Sequence, residues 1–218
     1  MELSLILIII TVGISWYAWQ NQDLMHKWIF SPYHVKRDNS WHRFVTSGFL
    51  HADFTHLFFN MFTLYFFGRL VEIILVNGIQ VNDSILGGFG LITGELLFLL
   101  IYVGGIIVSD IPTYLKHKDD PGYRALGASG GVASVVFSSI LFLPTQDIYL
   151  FAALPIPGFI LGVLYLMYSY FQGKRMGDNI NHDAHLYGAV YGFLISLLLV
   201  PQAGPLFIDQ ISNWKIFG

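Results

Sequence analysis

The chain has 218 residues, 55% of them hydrophobic and 11% charged, with a mean hydropathy of +0.60; soluble domains carry about 25% charged residues, so this composition belongs in lipid. A net charge of −3 without any basic stripe excludes nucleic acid as a partner. The absence of cysteine removes disulfides, Cys-ligated zinc and a thiol nucleophile together.

A helix needs about 20 apolar residues to cross a hydrocarbon core roughly 30 Å thick, which leaves room for about six spans and short loops. Span one is expected over 3–19. It lacks a basic flank and a small-residue cleavage site, so it reads as a retained span, not a signal peptide. A polar-aromatic loop from Gln20 to Ser47 carries Trp28, Tyr33 and Trp41, rings that favour the membrane interface. Span two is expected over 48–68. The stretch from Val71 to Gly94 is interrupted by Asn77-Gly78, Asn82-Asp83 and Gly87-Gly88, and reads as a long connection lying partly in the interface. Span three is expected over 95–114, followed by a charged loop from Leu115 to Arg124, and span four over 127–143, ending before Pro144. Span five, over 148–171, is expected to bend at Pro155 and Pro157. Span six covers 184–200, and Pro201 stops it. With no internal repeat, the expectation is one domain over 1–218: an all-α polytopic membrane protein folded as a compact six-helix bundle.

Polar groups in lipid are costly and need an explanation. Four stand out: His56 and Asn60 in span two, Ser129 opening span four and His185 opening span six. These spans enter from the first, third and fifth loops, and alternate loops share a side, so all four residues lie toward one membrane face. Ser129 sits in Gly127-Ala128-Ser129-Gly130-Gly131. A serine hydroxyl is a poor nucleophile without a base within roughly 2.6–3.2 Å. His185 is the candidate base, since a neutral imidazole takes the proton and returns it to the leaving amine. Small residues at Gly127, Gly130, Gly131, Ser134 and Ser138, and at Gly188, Ala189, Gly192 and Ser196, suit close helix packing. From spacing alone, the pair is open to two readings: nucleophile and base, or a plain packing face. His56 and Asn60, four apart, share a helix face. They are open both to oxyanion stabilisation and to a structural role bonded across the bundle.

The segments Trp41-His42-Arg43-Phe44, His51-Ala52-Asp53-Phe54-Thr55-His56-Leu57-Phe58-Phe59-Asn60-Met61, Gly127-Ala128-Ser129-Gly130 and Ala184-His185-Leu186-Tyr187-Gly188-Ala189-Val190-Tyr191-Gly192 together resemble the rhomboid intramembrane proteases. They stand in that family's order and on the expected spans; with Gly68 and Glu72 the resemblance covers roughly Trp41 to Gly192. It implies an intramembrane serine endopeptidase that cuts membrane-anchored proteins in or near their transmembrane segments and needs no cofactor. Ser129 and His185 would form the dyad without a third carboxylate. Asn60, His56 and the Ser129 amide would hold the oxyanion, with Gly127, Gly130, Gly188 and Gly192 supporting the site. The loop of Trp41 and Arg43 would lie against the bilayer. Spans two and five would flank lateral substrate entry, and Gln172 to His182 would cap the site. In some relatives an aromatic ring one turn after the serine packs on the histidine; here that position is Ala133, so the imidazole must be oriented from elsewhere. The stretch from Ile73 to Gly94 is also longer than in compact members. An inactive relative that binds transmembrane clients is the alternative, and the intact Ser129 and His185 argue against it. A small transporter would show inverted repeats, which are absent from the sequence.

Eight histidines invite a metal, but no His-Glu-x-x-His pair occurs and the expectation is no metal. His51 reads as a hydrogen-bonded interface residue, and His182 and Asp183 as part of the wet cap loop. Glu72 is expected to tie down the end of span two, Glu95 to open span three, and Asp110 to be an interfacial polar group. Loop charges point the other way from the resemblance. Lys27, Lys36, Arg37, Arg43, Lys116, Lys118, Arg124, Lys174 and Arg175 lie on the active-site side, against Arg69 and Lys215 opposite. The positive-inside tendency puts that side in the cytoplasm, whereas the resemblance implies an extracytoplasmic opening in a bacterial plasma membrane. The resemblance is preferred, because basic residues in an interfacial loop also contact lipid headgroups. Oligomeric state is not legible in the sequence.

Overall fold

The computed structural model describes residues 2–150, 153–175 and 181–215. The first helix, α1 (Leu3–Gln20), matches the first expected span. Its amino end is held by Glu72, whose carboxylate accepts from the amides of Leu3 (2.6 Å) and Ser4 (2.9 Å); a carboxylate is favoured there by the orphan N–H groups and the helix dipole. Glu72 thus ties down the start of α1 from within the second span.

The connection expected as a loop over Gln20–Ser47 is instead largely helical, with α2 (Gln22–Trp28), α3 (Pro32–Asp38) and α4 (Arg43–Thr46). Arg43 staples it, donating to the carbonyls of His26 and Ile29 and to Ser40 Oγ. Phe30, Val35 and Phe44 form its own small core.

The second span lies later than its apolar run suggests. Ser47–Phe49 is a short 3₁₀ turn, and the span itself runs as α5 (Phe54–Thr63), a π-helical turn over Leu64–Gly68, and α6 (Arg69–Asn77). Asp53 caps it by accepting from the His56 amide at 2.8 Å. The expected connection over Val71–Gly94 is therefore corrected. Its first third continues the helix, because Leu70–Val76 is apolar except for Glu72 and is buried at Val71, Ile74 and Leu75. An antiparallel hairpin follows, β1 (Ile79–Val81) and β2 (Ser84–Leu86), turning at Asn82 with φ +52°, a conformation Asn tolerates, and Leu91–Gly94 already belong to the next helix. The amides of Gly88, Phe89 and Gly90 satisfy the last carbonyls of α6.

Next come α7 (Leu91–His117) and the central α8 (Ser129–Phe142). Span five is corrected as well. Its expected first part is a second hairpin, β3 (Asp147–Leu150) and β4 (Leu154–Pro157), and only α9 (Gly158–Arg175) is helical. Pro155 and Pro157 bias the residues before them toward extended backbone, so they belong to a strand rather than bend a helix. The bundle is completed by α10 (His182–Leu199) and α11 (Ala203–Ser212), bent from each other by 113°. The fold is mostly helical, with these two ribbons departing from the all-α expectation.

Among the described residues, three helices are long and apolar enough to cross a membrane: Leu3–Gln20, Phe54–Asn77 and Leu91–His117, and a fourth if the bent α10–α11 pair counts as one. Rings at Phe54, Phe58, Phe62 and Phe66 form an exposed ladder along the second span, the kind of outer surface lipid covers. The chain is an integral membrane protein.

Helix α8 is the axis of the fold, buried along nearly its whole length between α7 and α10. Glycine makes this possible. A Cβ on Gly131 would stand 2.6 Å from the Tyr102 carbonyl of α7, and one on Gly105 would stand 2.5 Å from Ser134 Cβ. Ser134 Oγ donates to the Ile101 carbonyl at 2.8 Å. From Gly130 beside Ser109 to Ser134 beside Ile101 the contacts run in opposite order along the two helices, so α7 and α8 are antiparallel.

Candidate active site

Ser129 is the first residue of α8. Its N–H is thus one of the orphan donors at the positive end of the helix dipole. The residues before it are fixed from two sides. Gly127 has φ +127°, a backbone conformation that disfavours any side chain, and its amide donates to the Ser47 carbonyl at 3.0 Å. The Ala128 amide points at His51 Nε2, 3.4 Å away.

His51 is a site residue that sequence reasoning undervalued. It is hydrogen-bonded, as expected, and fully buried in the protein, and its hydrogen bonds assign its tautomer. Nε2 must accept from Ala128, so Nδ1 carries the proton and donates to Ser15 Oγ (3.0 Å), which donates to the Phe49 carbonyl (2.9 Å). Burial first, and the neighbouring His56 second, push its ionisation down to about 3. The neutral ring is what the bonding pattern requires. Only its place in a loop preceding a capped helix hinted at this.

His56 stands under Gly127: a Cβ there would come within 2.7 Å of His56 Cε1 and 2.8 Å of Nε2. Its Nδ1 faces the Ala52 amide at 3.5 Å, which leaves Nε2 as the N–H end directed to the amino end of α8. Its ring meets His51 edge-on at 4.9 Å. Asn60, one turn along and buried, donates one amide hydrogen to the His56 carbonyl at 2.9 Å. Its –NH₂ group has a second hydrogen to offer.

His185 is in the first turn of α10, whose start is capped by Asn181 accepting from the Ala184 amide at 3.1 Å. Asn181 in turn donates to Thr113 Oγ1 of α7 at 3.0 Å. Helices α8 and α10 touch backbone to backbone. A Cβ on Gly188 would come within 2.9 Å of the Gly130 Cα, and one on Gly192 would meet the Ser134 carbonyl. Ser196 Oγ donates to Ser138 Oγ at 2.7 Å. The pairs Gly130–Gly188, Ser134–Gly192 and Ser138–Ser196 advance by four residues on both chains, so the helices run parallel in one register. That register brings the amino ends of α8 and α10 together, with Ser129 on one and His185 on the other. Gly130 also faces Ser109 of α7, whose side chain occupies the room a Cβ would need.

The ring against His185 comes from α9. Tyr165 stacks on it with centroids 6.3 Å apart and planes at 22°, and His182 meets it edge-on at 5.9 Å. Ala133 indeed supplies no ring. Nothing in the sequence singles out Tyr165 among the aromatics of α9. His182 is buried in α10 rather than wet. A cavity of about 430 Å³ opens at this end of α10, lined by Lys116, Tyr170, Gly173, Asp183, Leu186 and Tyr187 among others. Of the expected cap loop over Gln172–His182, residues 176–180 lie outside the described residues, while 172–175 continue α9 and His182 opens α10. Asp110, expected at the interface, is buried within α7, and Glu95 lies one turn inside α7 rather than at its start. Among the described residues no group of three His, Asp or Glu side chains is arranged to hold a metal ion.

A family model described as Rhomboid domain matches residues 38–202. A Bacillus subtilis protein named "Putative rhomboid protease YdcA" is 31% identical over 171 residues, covering 76% of this chain and 70% of that protein. The Arabidopsis thaliana proteins named "RHOMBOID-like protein 12, mitochondrial" and "Rhomboid-like protein 11, chloroplastic" are 26% and 30% identical, over 82% and 73% of this chain. The chain spans about half the length of these two plant relatives, 52% and 53%.

Proposed function

The chain belongs to the rhomboid family, and we propose that it is an intramembrane serine endopeptidase acting on membrane-anchored proteins in or near their transmembrane segments. Ser129 Oγ attacks the scissile carbonyl while His185 takes its proton. The C–N bond breaks as the imidazolium protonates the leaving amine, which leaves an acyl ester on Ser129. His185 then deprotonates a water, which attacks the ester and releases Ser129. Asn60 Nδ2, His56 Nε2 and the Ser129 amide donate to the oxyanion in both steps. The chemistry uses water alone and no cofactor.

The observation that carries this reading is the parallel register of α8 and α10, glycine on glycine at Gly130–Gly188, with Ser129 and His185 at the adjoining amino ends. Length supports it too. Helix α8 has 14 residues, roughly 21 Å, against a hydrocarbon core of about 30 Å. A buried helix this short starts inside the bilayer, and in this reading water reaches it past the amino end of α10, where the 430 Å³ cavity opens. In this reading α8 and α9 also count as spans, which makes six.

Of the three relatives named above, the one spanned over 70% of its length is bacterial, which supports a bacterial plasma membrane. Of the nine basic residues on the active-site side, four have carbonyl or carboxylate partners among the described residues: Arg43 and Arg124 on backbone carbonyls, Lys36 on Asp119 and Lys116 on Asp183. This supports a folding role for them and an extracytoplasmic site; reporter fusions within 116–120 and at the C-terminus test it, and an extracytoplasmic C-terminus contradicts it. For the chemistry, the test is a fluorophosphonate probe on the purified protein. The expected result is one adduct, absent from Ser129→Ala and strongly slowed in His185→Ala; labelling that survives Ser129→Ala refutes the nucleophile.

A further inference from the structure

An imidazole that serves as a base must keep one nitrogen aimed at the serine through the whole reaction, so something must restrain rotation of its ring. In this chain the restraint on the face of the His185 ring comes from α9. Tyr165 and Tyr168 are one turn apart on α9, and His182 and His185 one turn apart on α10. Tyr165 lies on His185 (6.3 Å, 22°), Tyr168 meets His182 edge-on (5.6 Å, 82°), and the two imidazoles meet at 5.9 Å. The pairs cross in reverse sequence order, as two antiparallel helices require, so the four rings form one continuous run of contacts, stacked at Tyr165–His185 and edge-on at the other two.

Tyr165 is itself held. It packs on the buried cluster of Ala133, Phe137, Ile140 and Ala189, with its ring 5.7 Å from that of Phe137. The small side chain at Ala133 belongs to this arrangement, because a larger one would compete for the room that Tyr165 fills. A ring wedged between a rigid helix and the imidazole is fixed by packing, and near-parallel rings at this separation attract.

We propose that the Tyr165 ring is the platform that holds the His185 imidazole in its working orientation, which makes Tyr165 a positioning residue supplied by α9. The proposal rests on the serine-protease reading above. It assigns the role to the ring and not to the hydroxyl.

The test uses the full-length protein in detergent, as wild type, Tyr165→Phe and Tyr165→Leu, with two readouts. The first is kcat and KM on a transmembrane reporter substrate. Tyr165→Leu is expected to lower kcat about tenfold at unchanged KM, and Tyr165→Phe to stay within about twofold of wild type. The second is NMR of histidine-labelled protein, with the His185 signal identified by its loss in His185→Gln. The His185 Cε1–H signal is expected to shift downfield in Tyr165→Leu, as the shielding of the stacked ring is lost, and to hold in Tyr165→Phe. An unmoved His185 signal in Tyr165→Leu overturns the proposal. So does a kcat loss in Tyr165→Phe equal to that in Tyr165→Leu, or a change confined to KM. If the wild type cleaves nothing that Ser129→Ala spares, the protease reading fails separately, and the NMR comparison still decides the ring contact.

Discussion

Adding one methyl at Gly188 tests whether the α8–α10 register sets the chemistry. An alanine there would put its Cβ within 2.9 Å of both Cα and the carbonyl carbon of Gly130, and closer still to the oxygen. Carbon atoms rest about 3.5–4.0 Å apart, so the helices must separate by roughly 0.6–1 Å. The obstacle is backbone on a helix buried on both sides, so no side chain can rotate away. Overpacking of this kind costs about 1–3 kcal/mol of stability. A displacement near 1 Å between reacting groups costs about 10²-fold in rate. Gly188→Ala should therefore melt lower in detergent and lose about a hundredfold in kcat, with a slower fluorophosphonate reaction. Gly13→Ala is the control, since a Cβ at Gly13 meets nothing within 4 Å, and it should match wild type in both assays. A Gly188→Ala protein that reacts at the wild-type rate would refute the claim that backbone contact holds Ser129 and His185 together.

Three further outcomes follow from named contacts. Asn60→Ala should lower kcat by about 10²–10³-fold with little change in KM, since an oxyanion donor acts mainly in the transition state; steady-state kinetics on the reporter substrate would show it. His51 is neutral in the fold, with its ionisation pushed down to about 3, against about 6.5 in an unfolded chain. Its contribution to stability is therefore fully present above pH 6.5 and is lost as pH falls toward 3. The melting temperature should drop between pH 7 and pH 4, and His51→Gln should melt lower at pH 7 but with a shallower pH slope. Glu72→Ala removes the acceptor of the Leu3 and Ser4 amides and should destabilise the protein by about 1–3 kcal/mol, as charge-assisted bonds lost from a helix start do. Thermal melts would read it, with hydrogen exchange at Leu3 and Ser4 rising first.

The elements most legible in the sequence were those whose apolar runs end in clear stops. Helices α1, α8 and α10 lie within two residues of their expected limits because Asn21, Pro144 and Pro201 interrupt the pattern. The second span was misread because hydropathy weighs Arg69 and Glu72 as breaks. The helix runs through them, since Arg69 pairs with Glu2 and Glu72 caps α1. Span five was misread because its prolines sit in an apolar stretch, and apolarity alone does not separate a short strand from the start of a helix. At the site, the motif residues were legible because their chemistry is unusual in lipid. His51 and Tyr165 were not, because what they touch is decided by tertiary packing: one lies beneath a loop that precedes α8, the other arrives on a helix whose rings mostly face outward.

The central claim is that Ser129 and His185 cut peptide bonds in or near the membrane, and proteoliposomes test it most directly. The protein is reconstituted with a single-span reporter whose transmembrane segment carries small residues, and the products are mapped by mass spectrometry. The account predicts cleavage in or near the transmembrane segment by wild type, none by Ser129→Ala or His185→Ala, and no effect of a metal chelator. Cleavage that persists in both variants, or a wild-type protein that binds the reporter and leaves it intact, would contradict it.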